Sequence, residues 1–303
     1  MAETALVYCE EAVEHDTGEY HPESPLRLKV IQHALEENGM NLPVVRPEPA
    51  TEEDLLRNHT EAHVHAIKEC CLNGCTYPDP DTVMGPQSWN AALLSAGAGI
   101  TAAKMVLEGT YDNAFIMMRP PGHHAEADRA MGFCLFNNIA ITARWLREKQ
   151  GLDRVAIFDF DVHHGNGTQS AFYNDDTVLF ISIHEYPHYP GTGFPYERGK
   201  NNNIMNFQMP PGSPPESWLN TTRSEVVPKL EAFKPDMLLL SAGFDGHRLE
   251  PLGNQLLEAE HYGEITSMIK HIANGKIVSF LEGGYHLSAL GQCVVQHIKA
   301  LQE

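Results

Sequence analysis

Short apolar runs alternate along the chain with longer segments whose apolar positions recur every three or four residues. This alternation predicts strands and helices following one another in a parallel α/β sheet. The runs near Leu6, Phe115, Ile157, Phe180, Leu239 and Val278 are rich in β-branched and aromatic residues and low in charge, as expected of strands buried on both faces. Between them, residues 24–37 place Leu26, Val30, Ile31 and Leu35 on one helical face, and Asn38-Gly39 supplies a stop. Residues 87–108, 136–149, 215–232, 258–272 and 287–301 show the same helical spacing. No Ser/Gly linker, low-complexity tract or internal repeat divides the pattern, so residues 1–303 are expected to form a single domain.

The chemically useful residues gather where the apolar runs stop. In Phe158-Asp159-Phe160-Asp161-Val162-His163-His164-Gly165, two carboxylates and two imidazoles follow a buried strand. Residues two apart in extended chain project to the same side, so Asp161 and His163 can reach one ion while Asp159 lies in the same row behind them. Taken alone, this segment also reads as a strand end whose polar residues cap the next helix. Three further segments change the balance. Arg119-Pro120-Pro121-Gly122-His123-His124-Ala125 holds tandem histidines in a braced loop, which suits proton transfer better than packing. Leu238-Leu239-Leu240-Ser241-Ala242-Gly243-Phe244-Asp245 is a buried strand ending on a carboxylate, and Leu281-Glu282-Gly283-Gly284-Tyr285 frees the backbone to aim a tyrosine.

These four segments, in this order, resemble the histone deacetylase family, including its bacterial acetoin-utilisation and acetylpolyamine-amidohydrolase members. The resemblance begins at His21-Pro22-Glu23-Ser24-Pro25-Leu26-Arg27 and ends at Gly283-Gly284-Tyr285, nearly the whole chain. The stretch from Arg119 to Asn138, with Ala130-Met131-Gly132-Phe133-Cys134, is most similar to the class II branch and its bacterial relatives. The fold this implies is the α/β arginase/deacetylase fold, a single parallel sheet of about eight strands with helices on both faces.

The resemblance also assigns roles. Asp161, His163 and Asp245 match the metal ligands and leave an open position, which marks a catalytic site. Zn²⁺ there would polarise an amide carbonyl and acidify water, although two oxygens and one nitrogen also suit Fe²⁺. His124 matches the general base, His123 its electrostatic partner, Asp159 the contact of His123, and Tyr285 the donor to the developing oxyanion. Asn166 stands where class I members place an aspartate facing His124, so His124 is expected to have a lower pKa than it would beside a carboxylate. Gly132-Phe133 and Tyr189 match the walls of a narrow channel for an acylated lysine, and Leu252 falls where polyamine-selective relatives carry a gatekeeper glutamate. In the loop 77–82, Asp79 or Asp81 is a candidate for binding substrate backbone amides, with a plain Pro/Asp turn as the alternative. A structural K⁺ is implied around Asp159, Asp161, His163, Ser182 and Ile183, and a second near Phe172, Asp175 and Val178. His184, His188 and His247 are placed at the pocket rim, and His286, where many members have asparagine, beyond the reacting groups.

Charge and cysteine usage narrow the partners. Twenty-one basic against 40 acidic residues give a formal charge of −19, which argues against direct contact with nucleic-acid phosphates and fits either simple solubility or attraction of basic peptides and polyamines. No continuous apolar run reaches about 18 residues, so a membrane span is not expected, and the first five residues lack a signal pattern. A cytoplasmic location follows as an expectation. The six cysteines are too sparse for a disulfide scaffold, and Cys70, Cys71 and Cys75 are expected to be free thiols rather than a zinc cluster completed by His63 or His65.

The expected activity is therefore hydrolysis of an acyl-lysine amide in a protein or peptide. An acetylpolyamine amidohydrolase would use the same catalytic set, whereas an arginase-like dinuclear site would need a further carboxylate where Gly165 stands. A non-catalytic acyl-binding module would be expected to lack one of the ligands, the tandem histidines or the tyrosine. The oligomeric state is left open.

Overall fold

The computed structural model describes residues 2–75 and 79–303; Met1 and, from the loop 77–82, Tyr77 and Pro78 lie outside them, as does Thr76. The strands are β1 (Thr4–Val7), β2 (Val44–Val45), β3 (Asn113–Ile116), β4 (Val155–Asp159), β5 (Val178–Glu185), β6 (Ile204–Met209), β7 (Met237–Ala242) and β8 (Ile277–Leu281). They form one eight-stranded sheet in the order β2-β1-β3-β8-β7-β4-β5-β6, every pair parallel. All residues of β1, β3, β4, β5, β7 and β8 are buried, which is why these strands read as continuous apolar runs rather than alternating ones.

The α-helices are α1 (Leu26–Glu37), α2 (Glu52–Leu56), α3 (Glu61–Asn73), α4 (Ser88–Leu107), α5 (Asn138–Gln150), α6 (Asn166–Phe172), α7 (Pro215–Thr221), α8 (Val227–Phe233), α9 (Ala259–Ile269) and α10 (Leu287–Gln302). Adjacent strand residues reveal how they sandwich the sheet. Ser279 of β8 meets His297 of α10 at 2.8 Å, whereas the ring of the next residue, Phe280, closes over Gly99 of α4 together with Thr142 of α5. Side chains alternate across a strand, so α10 and the α4/α5 pair lie on opposite faces.

Several boundaries differ from the sequence expectation. The helix expected over 215–232 is broken into α7 and α8 by a π turn at Thr222–Val226, just before Pro228, which lacks the N–H that an uninterrupted α-helix would use. The segment 258–272 ends its α-helix at Ile269. One helix among the described residues, α4, has the length and mean hydropathy (20 residues, 1.3) to cross a membrane, although it contains no unbroken apolar run of that length. It packs against β1, β3, β8 and α5, and 61% of its apolar window is buried.

One ion cluster ties the N-terminal segment to the strand ends. Arg119 donates from Nε and Nη2 to the two oxygens of Glu23 at 2.5 and 2.6 Å, and Arg27 Nη1 reaches Glu23 Oε1 at 3.1 Å. Burial pushes the Glu23 carboxyl up, but Arg119 and Arg27 outweigh it and hold it at about 2. All three side chains are buried, so Glu23→Gln leaves two buried guanidiniums undercompensated and is expected to cost about 3–5 kcal/mol in urea denaturation at neutral pH. Because the folded pKa lies below the ordinary 4.5, this contribution is complete above that value and disappears as the pH falls toward about 2. The wild-type and Glu23→Gln stabilities should therefore converge in acid.

Candidate active site

Strands β3, β8, β7 and β4 are consecutive neighbours in the sheet, so their carboxyl ends open onto one place. The chain leaving β3 carries His123 and His124, that leaving β4 carries Asp161 and His163, that leaving β7 carries Asp245, and that leaving β8 carries Tyr285. Four segments far apart in sequence thus converge through strand order alone.

Asp161, His163 and Asp245 are buried, and each offers a ligand atom within 4.8 Å of the others. His163 Nδ1 lies 3.0 Å from Asp161 Oδ1 and 3.1 Å from Asp245 Oδ2. Backbone N–H groups orient the carboxylates: Gly283 donates to Asp161 Oδ2, and Val162 to Asp245 Oδ1, both at 2.8 Å. A Cβ at Gly283 would overlap oxygens of both aspartates, so this close approach requires glycine. Burial and the neighbouring Asp161 push Asp245 up, while burial alone would lower His163 and the two aspartates instead raise it to about 10. Two buried carboxylates converging on one imidazole nitrogen demand a positive charge between them, which a proton on Nδ1 or a metal ion can supply. The donor set therefore fits a divalent cation.

The tandem histidines stand beside this triad with ring centroids 4.0 Å apart. His123 Nδ1 meets Asp159 Oδ2 at 2.9 Å, and burial, which disfavours its charge, is overcome by Asp159 and Asp161, so that its pKa rises to about 10. His124 Nδ1 meets the amide oxygen of Asn166 at 2.8 Å. Asn166 itself is oriented by donating to Glu126 Oε1 at 2.8 Å, so its Oδ1 faces the ring and accepts from Nδ1–H, leaving Nε2 as the basic nitrogen. Burial and the positive neighbours His123 and His163 hold His124 well below the ordinary histidine value. Asn166→Asp adds a carboxylate at that contact and is expected to move the acid limb of the kcat/KM profile to higher pH; an unmoved limb would exclude control of His124 by residue 166.

A cavity of about 210 Å³ leads to these groups, lined by Asp79, Asp81, His124, Gly132, Phe133, His163, His188, Tyr189, Leu252 and Tyr285. Phe133 adopts a left-handed backbone (φ 69°) that turns its ring across the channel, 5.7 Å from Tyr285 and nearly perpendicular to it. Tyr189 packs edge-on against His124 at 5.1 Å. Asp79 Oδ2 accepts from Gly132 N at 3.0 Å and from the Thr82 hydroxyl at 2.7 Å, so it braces the wall of the channel as well as facing it. Of the three histidines expected at the rim, His188 lines the cavity; His184 is buried against Ser182 and His164, and His247 pairs with Glu258. A larger cavity of about 660 Å³ lies beside β6 and contains none of the triad or the tandem histidines.

Residues 21–301 match the histone deacetylase domain model. The chain belongs to the histone deacetylase family. It is 40% identical to a probable deacetylase of Archaeoglobus fulgidus over 93% of this chain and 81% of that protein. It is 36% identical to the histone deacetylase-like amidohydrolase of Pseudomonas aeruginosa over 93% of this chain and 77% of that protein. The crystal structure of the HDA15 HD domain superposes with a TM-score of 0.93 at 34% identity, covering 99% of this chain and 89% of that one. The fold is thus that of a histone deacetylase domain.

Several residues around this site were not singled out by sequence reasoning. Arg27 donates to the carbonyls of Gly284 and Glu282 at 2.7 and 2.5 Å, and its guanidinium lies 4.8 Å from the Tyr285 ring centroid. Glu250, buried two residues before Leu252, accepts the N–H of Tyr285 at 2.9 Å and that of His286 at 3.1 Å. Glu282 Oε2 accepts from Gly122 and His123 N–H at 2.7 and 3.2 Å. Arg27 and Glu282 lie within recognised motifs, whereas Glu250 carries no local signal, since its partners are backbone groups 35 and 36 positions away.

One expectation is corrected. Cys70 and Cys75 are joined as a disulfide with Cα atoms 4.9 Å apart, because Gly74 (φ 73°) ends α3 and turns the chain back toward Cys70; Cys71 is a free, buried thiol. His63 instead contacts the Leu135 carbonyl at 2.9 Å, and among the described residues only the Asp161, His163 and Asp245 group has metal-binding geometry. Around the second position suggested for K⁺, the carbonyls of Phe172, Asp175 and Val178 all face the side-chain amide of Asn203.

Proposed function

We propose that this chain is a zinc-dependent amidohydrolase that removes an acetyl or related acyl group from lysine in proteins or peptides. The observation that carries this reading is that His163 of the Asp161, His163 and Asp245 set, His124 of the His124/Asn166 pair, and Tyr285 line one narrow channel together with Phe133 and Tyr189. Zinc, held by those three ligands, would polarise the acyl carbonyl and bring a water toward a pKa of roughly 7. His124 takes the proton from the attacking water at Nε2 while Asn166 fixes the ring through Nδ1, and the same nitrogen returns the proton to the departing amine. His123, kept protonated by Asp159, stabilises negative charge as it develops, and Tyr285 donates its hydroxyl to the oxyanion. Phe133 and Tyr189 exclude water from the methylene stem of the substrate. A monovalent cation around Asp159, Asp161, His163, Ser182 and Ile183 belongs to the same proposal; β4 and β5 pair Asp159 directly with Ser182 in register.

Leu252 in the channel wall favours acyl-lysine over acetylpolyamine, because it offers no charge to a distal ammonium group. The test is amine release by the zinc-loaded protein from matched acetyl-lysine peptides and acetylated polyamines. Faster peptide hydrolysis is expected, with Leu252→Glu shifting the kcat/KM ratio toward the polyamine by at least about 10-fold, or roughly 1.4 kcal/mol. Faster polyamine hydrolysis by the wild type would assign it to the other substrate class, and no metal-dependent hydrolysis of either would leave a binding module.

A further inference from the structure

The end of α6, the loop that follows it and the start of β5 turn three backbone carbonyls toward one point. At that point lies Asn203 Nδ2, 2.7 Å from Phe172 O, 2.9 Å from Asp175 O and 3.0 Å from Val178 O. Three converging carbonyl oxygens repel one another and require a cation or N–H donors between them. We propose that the Asn203 side-chain amide is the permanent occupant of this cradle, taking the place of a second structural monovalent cation.

The surrounding contacts fix the amide in that role. Its two hydrogens can serve two of the carbonyls while the third is held by the partial positive charge of the nitrogen. Asn203 Oδ1 is buried with no hydrogen-bond partner among the described residues. Inverting the amide would direct Oδ1 at three carbonyl oxygens, so the orientation shown is the one electrostatics favours despite leaving Oδ1 unpaired. Gly199 provides the space: it has φ 67°, and a Cβ there would stand 2.5 Å from Asn203 Oδ1. The Asn203 carbonyl is engaged by Phe180 N at 2.8 Å, and the Asp175 carboxylate by Thr177 N and Oγ1 at 3.1 and 2.6 Å. An entering cation would find the amide at the centre of the cradle. The start of β6 is thus clamped to the α6–β5 loop by a neutral group of the chain itself, which makes this corner independent of potassium.

Two measurements test this without recourse to activity. Anomalous scattering from wild-type crystals grown in thallium(I) acetate is expected to show no peak among the three carbonyls; a peak within bonding distance of them would overturn the proposal. Asn203→Ala removes the occupant and opens the cradle. Its melting temperature in choline chloride should fall by several degrees, and potassium chloride should restore about half of that fall beyond any potassium effect on the wild type. A variant with no extra potassium response would also overturn the proposal, and if it fails to fold in either salt the wild-type thallium experiment decides.

Discussion

Tyr285→Phe is expected to lower kcat on an acetyl-lysine peptide by about 10²–10³-fold, roughly 2.7–4 kcal/mol, with little change in KM. The substitution removes only the hydroxyl. Burial pushes the phenol well above its ordinary value, so the group remains a proton donor throughout the working pH range. The ring stays packed between the Arg27 guanidinium and Phe133, and the backbone remains tethered through Glu250, so position and channel shape survive. A donor to the oxyanion acts mainly in the transition state, and the loss should fall on kcat rather than on substrate binding. Unchanged zinc content would show that the metal site is intact, and a loss below about 10-fold would remove Tyr285 from oxyanion stabilisation.

The sheet and the residues at its carboxyl edge were legible because burial on both faces writes parallel strands as uninterrupted apolar runs. Leu239 and Ile157 announced β7 and β4, and the polar residues following them could be read directly. Strand β2 was invisible because two residues, Val44 and Val45, do not make a run. β6 was missed because its sequence, with buried Asn206 and partly exposed Gln208, has neither an apolar run nor clean alternation. Helix α3 was obscured by its two histidines, two cysteines and lysine, although Thr60 caps it by accepting from His63 N. At the site, the candidate ligands, the tandem histidines and the tyrosine were readable from their motifs, while Arg27, Glu250 and Glu282, like Asn203 at its separate cradle, act on backbone atoms that only the folded chain brings near. The Cys70–Cys75 pairing depends on the turn at Gly74, which composition cannot reveal.

Asp245→Ala should abolish stoichiometric zinc binding and with it amine release, a larger effect than the ~10–100-fold loss of affinity that follows removal of an outer-shell partner. Asp161 and Asp245 repel each other across His163, and a cation relieves that repulsion while a proton on His163 does so in its absence. Zinc therefore competes with that proton: uptake at neutral pH should release about one proton from the wild type, and affinity should weaken as the pH falls. Removing Asp245 takes away one of the three ligand atoms and lowers the pull on the His163 proton together. Zinc at about 100 times its dissociation constant should stabilise the metal-free wild type by ~2.7 kcal/mol, seen as a raised melting temperature, and leave Asp245→Ala unmoved. Full zinc occupancy in the variant, with activity retained, would exclude Asp245 as a ligand. Occupancy retained with activity lost would instead give it a role in orienting Val162 and His163, the two groups it contacts.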